Sequence, residues 1–136
     1  MTKLELGFNK ITNIEPLSSL TALTELVLYG NNISDLKPLA NLTNLNSLNL
    51  LHNKINDIKP LSNLTNLNSL WLAGNEINDV KPLSNLTNLD FLWLSNNKIN
   101  DIKSLGGLNQ LTALLVNNNP IEDKTCPIQQ KSVCLF

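Results

Sequence analysis

Side chains that could support acid–base or nucleophilic chemistry are scarce in this sequence. His52 is the only histidine, and no nucleophile or orienting acid is evident beside it, although a catalytic histidine needs such a partner within hydrogen-bond reach. The sequence also contains no phosphate-binding loop, no paired-carboxylate signature and no cluster of metal ligands. We therefore predict that the chain is not an enzyme and that His52 is an ordinary exposed turn residue.

Acidic side chains recur at one fixed spacing along the chain. Stacked at the strand spacing of about 4.8 Å, such carboxylates could hold Ca²⁺, which takes oxygen ligands. A lysine follows two residues after most of them and offsets their mutual repulsion, while Asp is also a common turn residue. We therefore favour a role in turns, keep calcium binding as the alternative, and expect no cofactor. The column consists of Asp35, Asp57, Asp79, Asp101 and Asp123.

The two cysteines, Cys126 and Cys134, lie near the C-terminus and are spaced for a small disulfide loop. The chain-entropy model values such a loop at about 2.5 kcal/mol. Two free buried thiols and a partial metal site are the alternatives, although zinc usually takes four ligands and the only histidine is distant in sequence. No signal peptide is visible in the sequence, and a disulfide would leave an extracytoplasmic location open.

These residues are positioned by an internal repeat of constant length, which steps from Asn53 to Asn75 and from there to Asn97. Each repeat carries two apolar residues separated by one position, as in Leu70 and Leu72, which predicts a short strand with both side chains in the core. An asparagine follows three residues later, and we expect its amide to lie inside and bond backbone groups of adjacent coils. The members of this asparagine column are Asn9, Asn31, Asn53, Asn75, Asn97 and Asn119.

The second half of most repeats reads I-x-P-L-x-x-L, or the same with Leu or Val in the first place. Proline suits the first turn of a helix, and the stretch is too short for a long helix, so we expect 3₁₀ turns on the outer side. The period predicts six strands in a leucine-lined repeat domain over residues 1–119. Residues 120–136, which contain both cysteines, are predicted to form a C-terminal cap.

The N-terminal end has no polar capping segment before its first strand. A solenoid normally needs terminal caps, because each coil buries its apolar face only against its neighbours. Leu4, Leu6 and Phe8 would therefore lie at an open end. We expect that the chain is a fragment, or that another chain covers this end, with self-association as one form of such cover.

From Leu67 the sequence reads L-x-x-L-x-L-x-x-N-x-I, the signature of a leucine-rich repeat. The segments NDIKPLSNLTNL (56–67) and NDVKPLSNLTNL (78–89) resemble the 22-residue, internalin-type bacterial class of that family. This resemblance covers the chain from about Leu4 to Ile121. It implies an α/β solenoid, a right-handed horseshoe with a parallel β-sheet on the concave face and short 3₁₀ turns on the convex face. It also implies a surface that usually binds protein.

Residues that alternate with the inward leucines must face the concave side of such a sheet. Trp71 and Trp93 fall on neighbouring strands in one column, and Phe91 lies two residues before Trp93. Aromatic residues favour strands for packing alone, but they are also enriched in binding hot spots. We predict that both tryptophans are largely exposed. The small residues Ala73, Gly74 and Ser95 beside them are expected to leave room for a partner. The predicted binding residues are Val27, Tyr29, Asn49, Leu51, Trp71, Phe91, Trp93 and Leu115.

The sequence thus predicts a non-enzymatic interaction module that binds a protein or peptide through its concave face. A formal net charge of −1 provides no basic field for nucleic acid or anionic lipid. No apolar run approaches the roughly 20 residues of a membrane-spanning helix. Two alternatives remain: a structural segment of a longer protein with no ligand of its own, and a carbohydrate-binding surface, because tryptophans stack on sugars.

Overall fold

The computed structural model describes residues 1–130 and 133–136. Within these residues, seven strands form one parallel sheet in chain order, so that each strand pairs with the next. This is the solenoid predicted from the repeat. The strands are β1 (Lys3–Glu5), β2 (Glu25–Val27), β3 (Ser47–Asn49), β4 (Ser69–Trp71), β5 (Phe91–Trp93), β6 (Ala113–Leu115) and β7 (Cys134–Leu135).

Short 3₁₀ turns lie between consecutive repeat strands, as the proline spacing predicted. In a central coil, Lys59 and Pro60 begin the turn, and Asp57 Oδ1 accepts a hydrogen bond of 2.9 Å from the Lys59 N–H. Asp35, Asp79 and Asp101 bond in the same way at the start of their turns, Asn13 takes this place at the first turn, and Asp123 accepts the Thr125 N–H in the tail, where residues 124–130 form no 3₁₀ turn. No helix among the described residues is long and apolar enough to cross a membrane. The 3₁₀ turns are Glu15–Leu17, Lys37–Leu39, Lys59–Leu61, Lys81–Leu83 and Lys103–Gly107.

The interior is a stack of leucine and isoleucine layers. Leu70 and Leu72 of one coil are fully buried, and Ile77 re-enters the same layer after the asparagine turn. Burial of each such side chain stabilises the fold by about 1.5–3 kcal/mol. Each layer packs on the layers before and after it, so the apolar face of a terminal layer has a neighbour on one side only.

The asparagine column forms a ladder of side-chain hydrogen bonds inside the coils. Asn75 is only 8% exposed. Its Oδ1 accepts a hydrogen bond of 3.0 Å from the N–H of Ile55 in the preceding coil. Its Nδ2 donates to the carbonyl oxygens of Leu50 and Leu72, both at 3.0 Å. These bonds satisfy backbone groups at the turn that leaves the sheet. The arrangement recurs at Asn31, Asn53, Asn97 and the half-buried Asn119.

The first coil is less enclosed than the others. The side chain of Asn9 is exposed, and its Nδ2 donates to the carbonyl oxygen of Gly7 in its own coil at 3.0 Å. Leu4 and Leu6 are only partly buried against the core, and Phe8 is 75% exposed. The apolar side chains of this coil are therefore less buried than those of the central coils.

The tail adds a seventh strand to the six predicted. Cys126 and Cys134 are joined by a disulfide with their Cα atoms 5.7 Å apart. β7 extends the sheet through the pairing of Leu114 with Cys134, while Ile121 and Ile128 are buried against the last coil. The sequence analysis missed this strand because the repeat period would place the partner of Leu114 at Phe136, whereas the sheet pairs it with Cys134.

Candidate binding face

The strand register places one outward residue of each strand in a column along the middle of the concave face. Trp71 pairs with Trp93, Trp93 with Leu115, and Leu115 with Leu135 of the tail strand. The column is therefore apolar over four consecutive strands, β4 to β7. Its N-terminal members, on β1 to β3, are Glu5, Val27 and Asn49.

Phe91 joins this column from the side. Its ring centroid lies 5.5 Å from that of Trp71, and the two ring planes are inclined by 42°. Sequence position suggested that Phe91 would accompany Trp93, since both lie on β5, but the ring leans across to the neighbouring strand. Trp71, Phe91, Trp93 and Leu115 thus form one contiguous group, which we call the aromatic patch.

The prediction that Trp71 and Trp93 are largely exposed is wrong, because both side chains are half-buried. The ring of Phe91, on the adjacent strand, packs against that of Trp71. The room expected beside the tryptophans is also filled, since Ala73 and Ser95 are buried. The aromatic patch is therefore a packed apolar surface whose rings are already held in place.

Leu135 extends the aromatic patch at its C-terminal end. It lies beside Leu115 in the sheet and is 54% exposed, and the adjacent Phe136 is also exposed. Sequence reasoning missed Leu135 because the tail was interpreted only as a cap. The alternation of Val133, Cys134 and Leu135 was the available signal, but without the strand register it could not assign a face.

The remaining predicted residues lie outside the aromatic patch. Val27, Asn49 and Leu51 are half-buried on the same face, and Asn49 Oδ1 accepts a hydrogen bond of 3.1 Å from the Leu51 N–H. Tyr29 packs edge-on against Phe8, with ring centroids 4.8 Å apart. The structure therefore separates Tyr29 from the tryptophans and groups it with Phe8 of the first coil.

A second column, which the sequence analysis did not single out, borders the face where the chain leaves the strands. His52 lies over Gly74, so that a Cβ added to Gly74 would collide with the imidazole ring, and Phe8 covers Gly30 in the same way. All members have positive φ values, between 52° and 69°, a conformation that glycine adopts without strain. They are Phe8, Gly30, His52, Gly74, Asn96 and Asn118. The signal was present as two glycines alternating with larger residues at the repeat period.

Charged groups on the face are concentrated at its N-terminal end. Lys3 Nζ lies 3.1 Å from a carboxylate oxygen of Glu5 and 3.3 Å from one of Glu25. Hydrogen bonds to these carboxylates, that of Glu5 first, raise the pKa of Lys3 above its ordinary value. The side chains of the aromatic patch, by contrast, are all uncharged. The two ends of the face therefore offer different chemistry, ionic at β1 and β2 and apolar from β4 onward.

A further exposed carboxylate lies in the tail on the turn side of the coil. Hydrogen bonds from Thr125 lower the pKa of Asp123, and the nearby ammonium group of Lys103 acts in the same direction. The Lys103 Nζ lies 3.8 Å from Asp123 Oδ2. The ionised form of Asp123 is therefore favoured in the folded chain.

Comparison with known proteins places this architecture in a family. A family model described as leucine rich repeats (2 copies) matches residues 1–41, 21–63, 43–85 and 87–125. No curated protein matches the chain. Leucine-rich repeats generally mediate protein–protein interaction and serve as non-enzymatic scaffolds.

Several solved structures are similar to the chain at the level of both sequence and fold. The internalin inlF of Listeria monocytogenes is 38% identical, with a TM-score of 0.88 over 94% of this chain and 39% of that one. The internalin C2 (inlC2) of the same species is 37% identical, with a TM-score of 0.82 over 100% of this chain and 70% of that one. A leucine-rich-repeat protein of Leptospira interrogans is 30% identical, with a TM-score of 0.78 over 91% and 39%.

This chain therefore spans 39% of the length of two of these structures and 70% of the third. The repeat signature, the matched family model and the internalin structures together show that it belongs to the leucine-rich-repeat family, in its 22-residue, internalin-type bacterial class.

Proposed function

We propose that this chain is a non-enzymatic binding module whose protein or peptide partner docks on the concave face at the aromatic patch. The observation that carries the proposal is the unbroken apolar column of Trp71, Trp93, Leu115 and Leu135, with Phe91 packed on its side. Contiguous exposed apolar surface marks interaction sites, and tryptophan is enriched among the residues that dominate binding energy.

The half-burial of the rings supports this role. Trp71 is held by its contact with Phe91, so little side-chain entropy is lost when a partner covers the rest of the ring. Immobilising a mobile side chain at an interface costs about 0.5–1.5 kcal/mol. A ring that is already packed avoids most of that cost, and its remaining exposed edge still contributes apolar contact.

The dimensions of the column indicate the size of the contact. Adjacent strands lie about 4.8 Å apart, so the column from β4 to β7 is roughly 14 Å long. That length fits one strand or about three turns of a helix from a partner. A single protein segment with apolar side chains can therefore cover the whole column.

The carbohydrate alternative is less well supported by this geometry. Sugars stack on flat, open aromatic faces, whereas Phe91 tilts against Trp71 at 42° and occupies part of its surroundings. Asn49, the polar neighbour of Trp71 in the column, already uses its Oδ1 to accept the Leu51 N–H. The remaining alternative, a structural segment without its own ligand, predicts no capture of any partner by the aromatic patch.

The test is affinity capture from the native source, run in parallel with a glycan array. We expect the unaltered chain to retain a protein that Trp71→Ala/Trp93→Ala does not retain. The matched control is Lys59→Ala/Lys81→Ala on the convex side, which should capture the same protein as the unaltered chain. Binding to glycans that depends on the tryptophans would instead support the carbohydrate surface, and equal capture by all three chains would refute docking at the aromatic patch.

A further inference from the structure

Charged residues border the aromatic patch on both edges of the concave face. At the edge where the chain leaves the strands, the residue after each asparagine of the ladder is exposed. In the coils of β3, β4 and β5 this residue is Lys54, Glu76 or Lys98. Lys98 Nζ lies 3.0 Å from Glu76 Oε2, so these two charges balance each other. Among the described residues, no carboxylate lies within salt-bridge distance of Lys54, which leaves it as the uncompensated cation of this edge.

The opposite edge, where the strands begin, carries one carboxylate. The residues that directly precede β3, β4, β5 and β6 are Asn46, Asn68, Asp90 and Thr112. Asp90 is exposed, and its Oδ1 accepts a hydrogen bond of 2.7 Å from the Thr112 hydroxyl. No ammonium group in residues 1–130 and 133–136 lies within salt-bridge distance of Asp90. Its second oxygen, Oδ2, is therefore available to a cation from a partner.

Lys54 and Asp90 lie diagonally across the aromatic patch. Lys54 belongs to the coil of β3 and Asp90 to that of β5, so Trp71 on β4 lies on the coil between them. Phe91 directly follows Asp90, and its ring centroid lies 5.5 Å from that of Trp71. A line from one charge to the other therefore passes across this pair of rings. Each of the three strands pairs with a neighbour on both sides, so the diagonal lies within the central coils.

The distance between the two charges sets the length of a segment that can reach both. Asp90 corresponds to Asn46 two repeats earlier, and Asn46 precedes Lys54 by 54 − 46 = 8 residues. With about 3.3 Å per residue along a strand and about 4.8 Å between strands, the two backbone positions are at most about 28 Å apart. The turn at Asn53 shortens this distance. About eight residues of an extended chain therefore cover the diagonal.

We propose that the segment that docks on the aromatic patch has an acidic side chain toward one end, a basic side chain toward the other and apolar side chains between them. Its acidic end lies at Lys54, its apolar side chains cover Trp71 and Phe91, and its basic end lies at Asp90. This inference rests on the proposed function, because it names the chemistry of the partner that docks there.

The two charges select and orient the partner, whereas the rings bind it. Polar residues at the rim of an interface surround an apolar centre, and charge complementarity contributes more to specificity and association rate than to affinity. A segment in the reverse direction would bring a basic side chain to Lys54 and an acidic one to Asp90. Such like-charge contacts exclude wrong partners and wrong orientations. One direction of docking is therefore favoured over the other.

Selection of displayed random peptides of about 12 residues, longer than the span of about eight, tests this proposal on the whole chain. Peptides that bind the unaltered chain and fail to bind Trp71→Ala/Trp93→Ala are sequenced. We expect them to share apolar residues between one acidic and one basic residue. A synthetic copy of one such peptide is then titrated against charge variants by fluorescence anisotropy.

Lys54→Glu should weaken binding of this peptide by at least about threefold, since an exposed attraction becomes a repulsion. The factor should fall as the salt concentration rises from about 0.05 to about 0.5 M. Replacing the acidic residue of the peptide with lysine should restore binding to Lys54→Glu. The matched control is Lys59→Glu, which makes the same change of charge on the convex side and should bind the original peptide as the unaltered chain does.

Asp90→Lys should weaken binding in the same way, and a peptide whose basic residue is replaced with glutamate should restore it. The control is Glu122→Lys, an exposed residue of the tail on the turn side. Asp90→Asn keeps an acceptor for the Thr112 hydroxyl and removes only the charge. It should weaken binding by a smaller factor, and it replaces Asp90→Lys if circular dichroism shows that this variant does not fold.

Tryptophan-dependent peptides without an acidic and a basic residue would overturn this inference and leave docking at the aromatic patch intact. Equal binding of the peptide to Lys54→Glu and Lys59→Glu would overturn it too, since no charge contact would then form at that edge. A selection that yields no tryptophan-dependent peptide would refute docking of a segment at the aromatic patch itself. The two failures are therefore distinguished by the same experiment.

Discussion

Removal of the central asparagine side chain should destabilise the whole solenoid. In Asn75→Ala, the N–H of Ile55 loses the Oδ1 acceptor that lies 3.0 Å away. The carbonyl oxygens of Leu50 and Leu72 each lose one donor but keep a second. Leu50 still accepts from Asn53, and Leu72 still accepts from Asn97. The main loss is therefore one buried N–H group without a partner.

An orphaned buried donor costs about 1–3 kcal/mol, and a lost hydrogen bond to a satisfied group adds about 0.5–1.5 kcal/mol. Because two such bonds are lost besides the orphaned donor, we expect Asn75→Ala to lower the free energy of unfolding by about 2–6 kcal/mol, measured by urea titration with circular dichroism. The matched control is Asn9→Ala at the end of the same column. The side chain of Asn9 is exposed and donates only within its own coil, so its loss should stay within about 0.5 kcal/mol.

Equal effects of Asn75→Ala and Asn9→Ala would refute the reasoning. They would mean that the hydrogen bonds of the Asn75 amide contribute no more to stability than those of an exposed side chain. A large loss of stability in both variants would indicate that asparagine is needed for the backbone conformation of the turn, and not for the buried hydrogen bonds.

Three further perturbations give measurable outcomes. Reducing the Cys126–Cys134 disulfide, or replacing both cysteines with Ser, should lower the melting temperature. The chain-entropy model gives a loss of about 2.5 kcal/mol in the free energy of unfolding. An unchanged melting temperature would show that the stability of the tail does not depend on the bond. Gly74→Ala should lower the free energy of unfolding by about 1–2 kcal/mol because of its left-handed φ, and further because the new Cβ collides with His52. In a double-mutant cycle, adding His52→Ala should recover only the loss caused by the collision. Because the pKa of Asp123 is lowered in the folded chain, its carboxylate contributes stability at pH values above the unfolded pKa of 3.8, and this contribution is lost as the pH falls through the folded pKa. Asp123→Asn should therefore reduce the acid sensitivity of unfolding. An unaltered pH profile of stability would contradict this.

The strict period made the framework predictable from sequence. Apolar residues recur at the positions of Leu70 and Leu72 in every coil, which assigns the inward face, and the asparagine of Asn75 recurs at the position where the chain leaves the sheet. Proline at the start of the outer segment indicated the 3₁₀ turns. Each of these features depends on local backbone geometry that is the same in every repeat, so one coil predicts the next.

Features that depend on contacts between coils were not predictable in the same way. Trp71 is half-buried and packs against the ring of Phe91 on the next strand, and no single strand contains that information. β7 returns to the sheet earlier than the repeat period requires, with Cys134 and not Phe136 beside Leu114, in a tail that is closed by the Cys126–Cys134 disulfide and lies outside the repeat. Leu135 therefore lies beside Leu115 in the sheet, a position that the repeat period did not predict.

In the proposed function the tryptophans serve binding, whereas the leucines serve the core. Stability measurements separate these roles before any partner is known. Leu72→Ala should cost about 2–5 kcal/mol as a core truncation. Trp71→Ala removes a half-buried side chain and should cost clearly less. The chain with alanine at position 71 must remain folded for its binding to be interpretable.

The most direct test is calorimetric titration of the partner retained by affinity capture against Trp71→Ala and Trp93→Ala. Residues at the centre of an interface contribute about 2 kcal/mol or more each, so each variant should bind at least about 30-fold more weakly than the unaltered chain. The convex variant Lys59→Ala/Lys81→Ala should bind with unchanged affinity. Unchanged affinity of the folded Trp71→Ala/Trp93→Ala chain would contradict the central claim that the partner docks on the aromatic patch.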